Sequence, residues 1–161
     1  MQNIRNALPE ELPAILSVYE HARAFMEATG NPDQWGKTNP PVEVLKEHIA
    51  RKQLYVLEQE GDICGTFAFI PGTDPTYEYI EGSWHSDEEY AAIHCVAGNG
   101  KVKGIFGSIV EFCEKRSRYL RIDTYRDNHI MQHLVTKHGF VYCGVIYLNN
   151  GSPRLAYDKL T

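Results

Sequence analysis

The chain has 161 residues, 43% of them hydrophobic, and its 16 Lys and Arg against 21 Asp and Glu leave a formal net charge of −5. That length predicts a single domain over residues 1–161, large enough to bury a core without metal or disulfide staples. The acidic balance excludes the basic stripe of a nucleic-acid binder, and the apolar content with mixed charge excludes a disordered tail.

Residues 4–8 form a short apolar stretch before Pro9 and predict a first strand. Pro9, Glu10 and Glu11 suit a helix start, and Leu12, Ile15, Leu16, Tyr19, Ala22 and Met26 then recur at helical intervals as far as Gly30. Residues 31–41 read as a loop that carries Gln34 and Trp35, and Val42, Leu45 and Ile49 mark a second helix. Residues 54–58 and 63–70 predict two strands around the turn Glu60-Gly61-Asp62, whereas residues 73–89 are polar and aromatic and show no assignable period. Residues 91–97 predict a buried strand ended by Gly98-Asn99-Gly100, and residues 103–118 a helix carried by Ile105, Ile109, Phe112 and Cys113. A strand at 120–124, a helix at 128–138 closed by Gly139, and two strands at 141–148 and 154–159 complete the order. Helix crossovers require parallel pairing and hairpins antiparallel pairing. The fold class is therefore α/β (α+β), one domain with a mixed, mostly antiparallel sheet flanked by helices.

Cys64, Cys95, Cys113 and Cys143 form no C-x-x-C pair and sit in apolar contexts, so they read as buried free thiols of a reducing cytoplasm. No signal-peptide h-region opens the chain and no apolar run nears the ~18 residues of a spanning helix. Both features predict a cytoplasmic protein with no membrane partner.

The densest chemical signal is the strand at 91–97, the glycine-rich turn after it, and the helix that follows. Such a turn exposes unpaired N–H groups at the positive end of a helix, where phosphate fits, and Lys101 and Lys103 add charge. A plain strand-to-helix connection would look the same. A dinucleotide fingerprint fails because Lys103 stands where its third glycine belongs, and a P-loop fails because Val102 follows Gly100-Lys101. The segment from Lys101 to Phe106 does approximate [QR]-x-x-G-x-[GA]. It thereby resembles the acyl-CoA pyrophosphate loop of the GNAT superfamily of N-acetyltransferases. Asn128, Leu134, Lys137, Gly139 and Phe140 likewise match that family's N-x-x-A-x-x-L-Y-x-K-x-G-F pattern, and the element order agrees over residues 3–159. Three departures stand out. Lys101 replaces Gln or Arg, Val135 replaces the tyrosine that commonly serves as general acid, and Phe106 replaces a small residue. The last predicts a less close backbone approach to the pyrophosphate, unless Gly107 shifts the turn.

The resemblance implies a GNAT-like acyl-CoA N-acyltransferase fold and acetyl-CoA as cosubstrate, with no metal. It implies a cofactor site at Val96, Lys101, Lys103, Gly104, Ile105, Phe106, Gly107 and Asn128, with a backbone N–H near Val96 facing the oxyanion. The acceptor would be a primary amine of a small molecule or peptide, attacking directly in a ternary complex; no nucleic acid is expected as partner, and a homodimer is compatible.

An alkylamine with pKa near ~10.4 needs a base at neutral pH. His94 is the first candidate, because period-two alternation puts it on the face of Val96; a satisfied core histidine is the plain alternative. Glu78, Glu81, Glu88 and Glu89 compete for the same role. Without tyrosine at 135, Tyr125 and Tyr147 are the candidate acids. Gln34, Trp35, Tyr79 and Trp84, with Tyr77 and Tyr90, are candidates to line the acceptor pocket, as aromatics in Pro- and Gly-rich segments can. His129 and His133 have metal-pair spacing but no third ligand, and Asp123-Thr124 and Asp127-Asn128 read as caps. Two rivals share these features: a non-catalytic acyl-CoA-binding module and an acyl-CoA hydrolase.

Overall fold

A computed structural model describes residues 2–161. The strands are β1 (Asn3–Asn6), β2 (Leu54–Gln59), β3 (Asp62–Pro71), β4 (Glu81–Gly82), β5 (Ala91–Gly98), β6 (Tyr119–Thr124), β7 (Val141–Tyr147) and β8 (Pro153–Leu160). The helical periods give α1 (Leu12–Ala28), α2 (Val42–Ala50), α3 (Ile105–Glu114) and α4 (His129–Lys137), with short 3-10 turns at Pro9–Glu11 and Pro75–Tyr77. One sheet runs in the order β1-β2-β3-β5-β6-β8-β7-β4, and every neighbouring pair is antiparallel except β5 with β6.

The sheet is covered on both sides. Ile15, Val18 and Tyr19 of α1 and Leu45 and Ile49 of α2 pack with Val56, Ala68 and Ala97 on one face. Ile109, Val110 and Cys113 of α3 and Val135 of α4 pack with Leu57, Phe67, Ile93 and Ile122 on the other. None of the described helices is long and apolar enough to cross a membrane.

Three local features depart from the sequence reading. The helix expected over 103–118 starts only at Ile105, because Gly104 takes the left-handed conformation (φ 77°) immediately before it. Within the unassigned segment 73–89 lies β4, whose Glu81 and Gly82 pair with Val145 and Gly144 of β7. This approach needs glycine on both sides: a Cβ on Gly82 would lie 2.2 Å from the Cys143 carbonyl oxygen, and one on Gly144 2.1 Å from that of Glu81. A two-residue strand carries no period to read.

The third departure is a bulge in β5. Thr66 of β3 opposes Ala97 and Ala68 opposes His94, so three steps of β5 face two of β3. Cys95, at φ 56°, takes up the extra residue. Alternation breaks there: Ile93 and Val96 pack on the α3/α4 side, and Cys95 and Ala97 on the α1/α2 side. His94 follows Ile93 without interruption and so lies on the opposite face from Val96, a correction to the simple period-two reading. The β5–β6 pairing also stops at Ile93 and Ile122, so the two strands part just where the bulge begins.

Candidate active site

Two hollows meet at this parting. The first, about 390 Å³, is walled by Gly98, Gly100, Val102, the first turn of α3 and Lys137 and His138. The second, about 600 Å³, is walled by Gln34, Trp35, His48, Asp74, His94, Asp123, Thr124 and Arg154, among others. Met26, Val96, Asn128 and Met131 line both.

In the smaller groove, Gly104 caps α3 and leaves the N–H groups of Ile105, Phe106 and Gly107 as its first-turn donors. The Phe106 ring is buried against His138 and Phe140 on the core side. Lys101 and Lys103 are exposed and do not line the groove; its wall carries Lys137 of α4 instead. Asn128 caps α4 by accepting a hydrogen bond from the Met131 N–H (3.0 Å), as its position suggested, and donates through Nδ2 to Gln34 Oε1 (3.0 Å). Gln34 thus ties loop 31–41 to α4 at the junction of the hollows, and Trp35 packs edge-on to Tyr19 along the larger wall.

In the larger cavity, His94 Nε2 lies 2.9 Å from Asp74 Oδ2, and Nδ1 lies 3.9 Å from Asp123 Oδ2. Burial pulls the imidazole pKa down, but the Asp74 hydrogen bond and the fields of Asp123 and Asp74 outweigh it, so His94 is more basic than an ordinary histidine. Burial would raise the Asp74 carboxyl, yet hydrogen bonds from His94 and Thr76 bring it down to about 2. The Tyr77 hydroxyl donates to Asp123 Oδ2 at 2.6 Å, which fixes that carboxylate beside the imidazole. Cys95 is a thiol rather than a thiolate: burial, and then the Asp123 charge, push its pKa up to about 12.

Several expected residues lie elsewhere. The Tyr147 hydroxyl donates to Glu81 on the sheet edge, and Tyr79 is exposed and stacks on Tyr147; neither lines the two hollows. Tyr125 is buried beneath the guanidinium groups of Arg126 and Arg154 and lines neither. Trp84 packs on Arg121 and lines a separate hollow with Glu78, Glu88 and Glu89, while Glu81 lines none of these three hollows. Conversely, the sequence reading missed Asp74, His48 and Arg154 and took Asp123 for a cap. Asp123 had a signal, a carboxylate inside an apolar strand; Asp74 had none beyond the turn-forming Asp-Pro step. Among the described residues, one trio could ligate a metal, His85, Cys143 and Asp158, and none of the three lines either hollow. Asp158 there already accepts from Tyr119 and the His85 backbone.

No protein-family model matches the chain, and no curated protein matches it by sequence. Solved structures do. An acetyltransferase of the GNAT family from Streptococcus agalactiae 2603 is 30% identical over 99% of this chain and 95% of that one, with a TM-score of 0.90. A GNAT-family acetyltransferase from Listeria monocytogenes 4b F2365 is 16% identical (99% and 95% covered, TM-score 0.75). A ribosomal-protein-alanine N-acetyltransferase from Brucella melitensis is 20% identical (99% of both chains, TM-score 0.65). At these last two identities the likeness concerns the fold.

Proposed function

This chain belongs to the GNAT family of acetyltransferases, and from that premise we propose that it transfers an acetyl group from acetyl-CoA to a primary amine of a small molecule or peptide, by direct attack in a ternary complex. The observation that carries this reading is the meeting of groove and cavity at Val96, Asn128, Met26 and Met131, just beyond the last β5–β6 pair.

The residues fit each demand of the chemistry. The N–H groups of Ile105, Phe106 and Gly107, with the Lys137 cation, hold the diphosphate in the groove. Acetyl-CoA, when bound, supplies an activated carbonyl and a thiolate leaving group. The bulge frees backbone donors of β5 from the ladder, and the Val96 N–H serves the oxyanion there. Neutral His94 donates Nε2–H to Asp74 and keeps its Nδ1 lone pair for the amine proton, while Asp123 steadies the imidazolium that results. A thiolate with pKa near ~8.5 departs without full protonation, so no side-chain acid is assigned.

Purified protein, acetyl-CoA and a broad amine panel provide the test. Amine-dependent release of free thiol is expected. Silence across the panel overturns the proposal, and thiol release without amine replaces it with hydrolysis.

A further inference from the structure

Arg154 is a guanidinium in an unusual setting. Only 7% of it is exposed, yet no carboxylate of the described residues forms an ion pair with it. Its Nη1 donates to Ser152 Oγ and the Pro153 carbonyl, and its Nη2 makes a long contact with the Gln34 carbonyl (3.4 Å). All three acceptors are neutral. The plane lies over the Tyr125 ring at 4.7 Å, and the residue forms part of the cavity wall. Burial depresses its basicity against the opposing field of Asp123. A buried charge without a counterion is costly unless a partner supplies one.

Register sets the spacing. Asp123 of β6 opposes Ala156 of β8, so Arg154, two residues along, is its diagonal neighbour on the same face at roughly 7–8 Å between backbones. The cavity thus presents an anion (Asp123) beside the proton acceptor and, one diagonal step away, a cation with no counterion.

We infer that the amine acceptor is an α-amino acid, whose carboxylate docks on Arg154 while its amino group faces His94 and Asp123. A planar guanidinium matches a carboxylate in geometry as well as charge. The inference names the substrate class of the transfer proposed above and rests on that reading.

A panel of L-amino acids tests it, each assayed with acetyl-CoA beside its primary amide and its decarboxylated amine. The free acid is expected to exceed both in kcat/KM by about 10- to 100-fold, chiefly through KM, the scale of a hydrogen bond to a charged group. In Arg154→Gln that ratio collapses toward one; in Arg154→Lys it survives in part. A role in holding loop 31–41 alone would instead lower all three acceptors in parallel and would overturn the inference. Should Arg154→Gln not fold, the wild-type ratio and Arg154→Lys decide. Amides or amines turned over as well as acids sink the amino-acid assignment and leave the acetyl transfer standing. If no amine is acetylated, the transfer reading fails, and calorimetry on the CoA-loaded protein still separates the two. Acid-selective binding then supports the Arg154 subsite, and equal or absent binding of acid and amide overturns it.

Discussion

His94 owes its basicity to two carboxylates on different elements: Asp74 precedes the 3-10 turn and Asp123 lies on β6. A base works only when unprotonated, so turnover should rise with pH through a midpoint above the ordinary 6.5. Asp74→Asn removes the main upward influence and leaves burial opposed only by the Asp123 field, so the acid limb should move to lower pH; a limb that stays put would detach Asp74 from catalysis. His94→Ala should cut kcat by about 10²- to 10⁴-fold. The same pair makes a stability prediction with a definite sign. His94 has a raised folded-state value, so its contribution is complete below the unfolded value near 6.5 and is lost as pH climbs through the folded one. Asp74 is depressed to about 2, so its contribution holds above 3.8 and fades as pH falls toward about 2. The melting-temperature gap between wild type and His94→Gln should therefore be wider at about pH 5 than at about pH 8. A gap that widens toward alkaline pH would reverse the assignment.

The N-terminus of α3 is where one backbone angle governs an entire binding surface. Gly104 has φ 77°, and a Cβ there would meet no atom within 4 Å, so Gly104→Ala is penalised by conformation alone. The expected loss is about 1 kcal/mol, or about 2–4 °C of melting temperature in a domain of this size. CoA affinity should fall further than stability, because the first-turn amides turn with the cap. Lys137→Gln should weaken CoA by about tenfold, whereas Lys101→Gln and Lys103→Gln should change little; calorimetric titration of the three variants checks this. That contrast also marks how far the sequence could be read. Periodicity and glycine punctuation reveal the β5-turn-α3 unit and all four helices, since burial of a face dictates the spacing of Ile105 and Ile109 or Met131 and Val135. They do not reveal which lysine faces the groove, because that depends on the path of the turn between Gly100 and Gly104. Nor do they reveal the bulge, because a positive φ at Cys95 has no glycine to announce it. Asp74 and Arg154 reach the cavity through sheet pairing and loop closure over long sequence separations, and no local pattern encodes either.

On the scale of the whole molecule, the parting of β5 from β6 turns a continuous sheet into two chambers that open onto one another. The groove is reached from the α1, α3 and α4 side and the cavity from loop 31–41 and the β8 start, and Val96 and Asn128 stand in both walls. Such a layout brings donor and acceptor together without a carrier on the protein. The one thiol that lines either hollow, Cys95 in the larger cavity, is held protonated, its pKa pushed up to about 12, and its carbonyl is fixed by the Tyr19 hydroxyl at 2.7 Å. A covalent acetyl-cysteine relay would require a thiolate there. Initial rates measured at varied acetyl-CoA and amine should therefore give intersecting double-reciprocal lines, the mark of a ternary complex. Incubation with acetyl-CoA alone should add no acetyl group to the protein by intact mass, and Cys95→Ala should keep most of its turnover. Parallel lines together with an acetylated Cys95 would mean that the two substrates visit in turn, and that the open junction serves exchange rather than encounter.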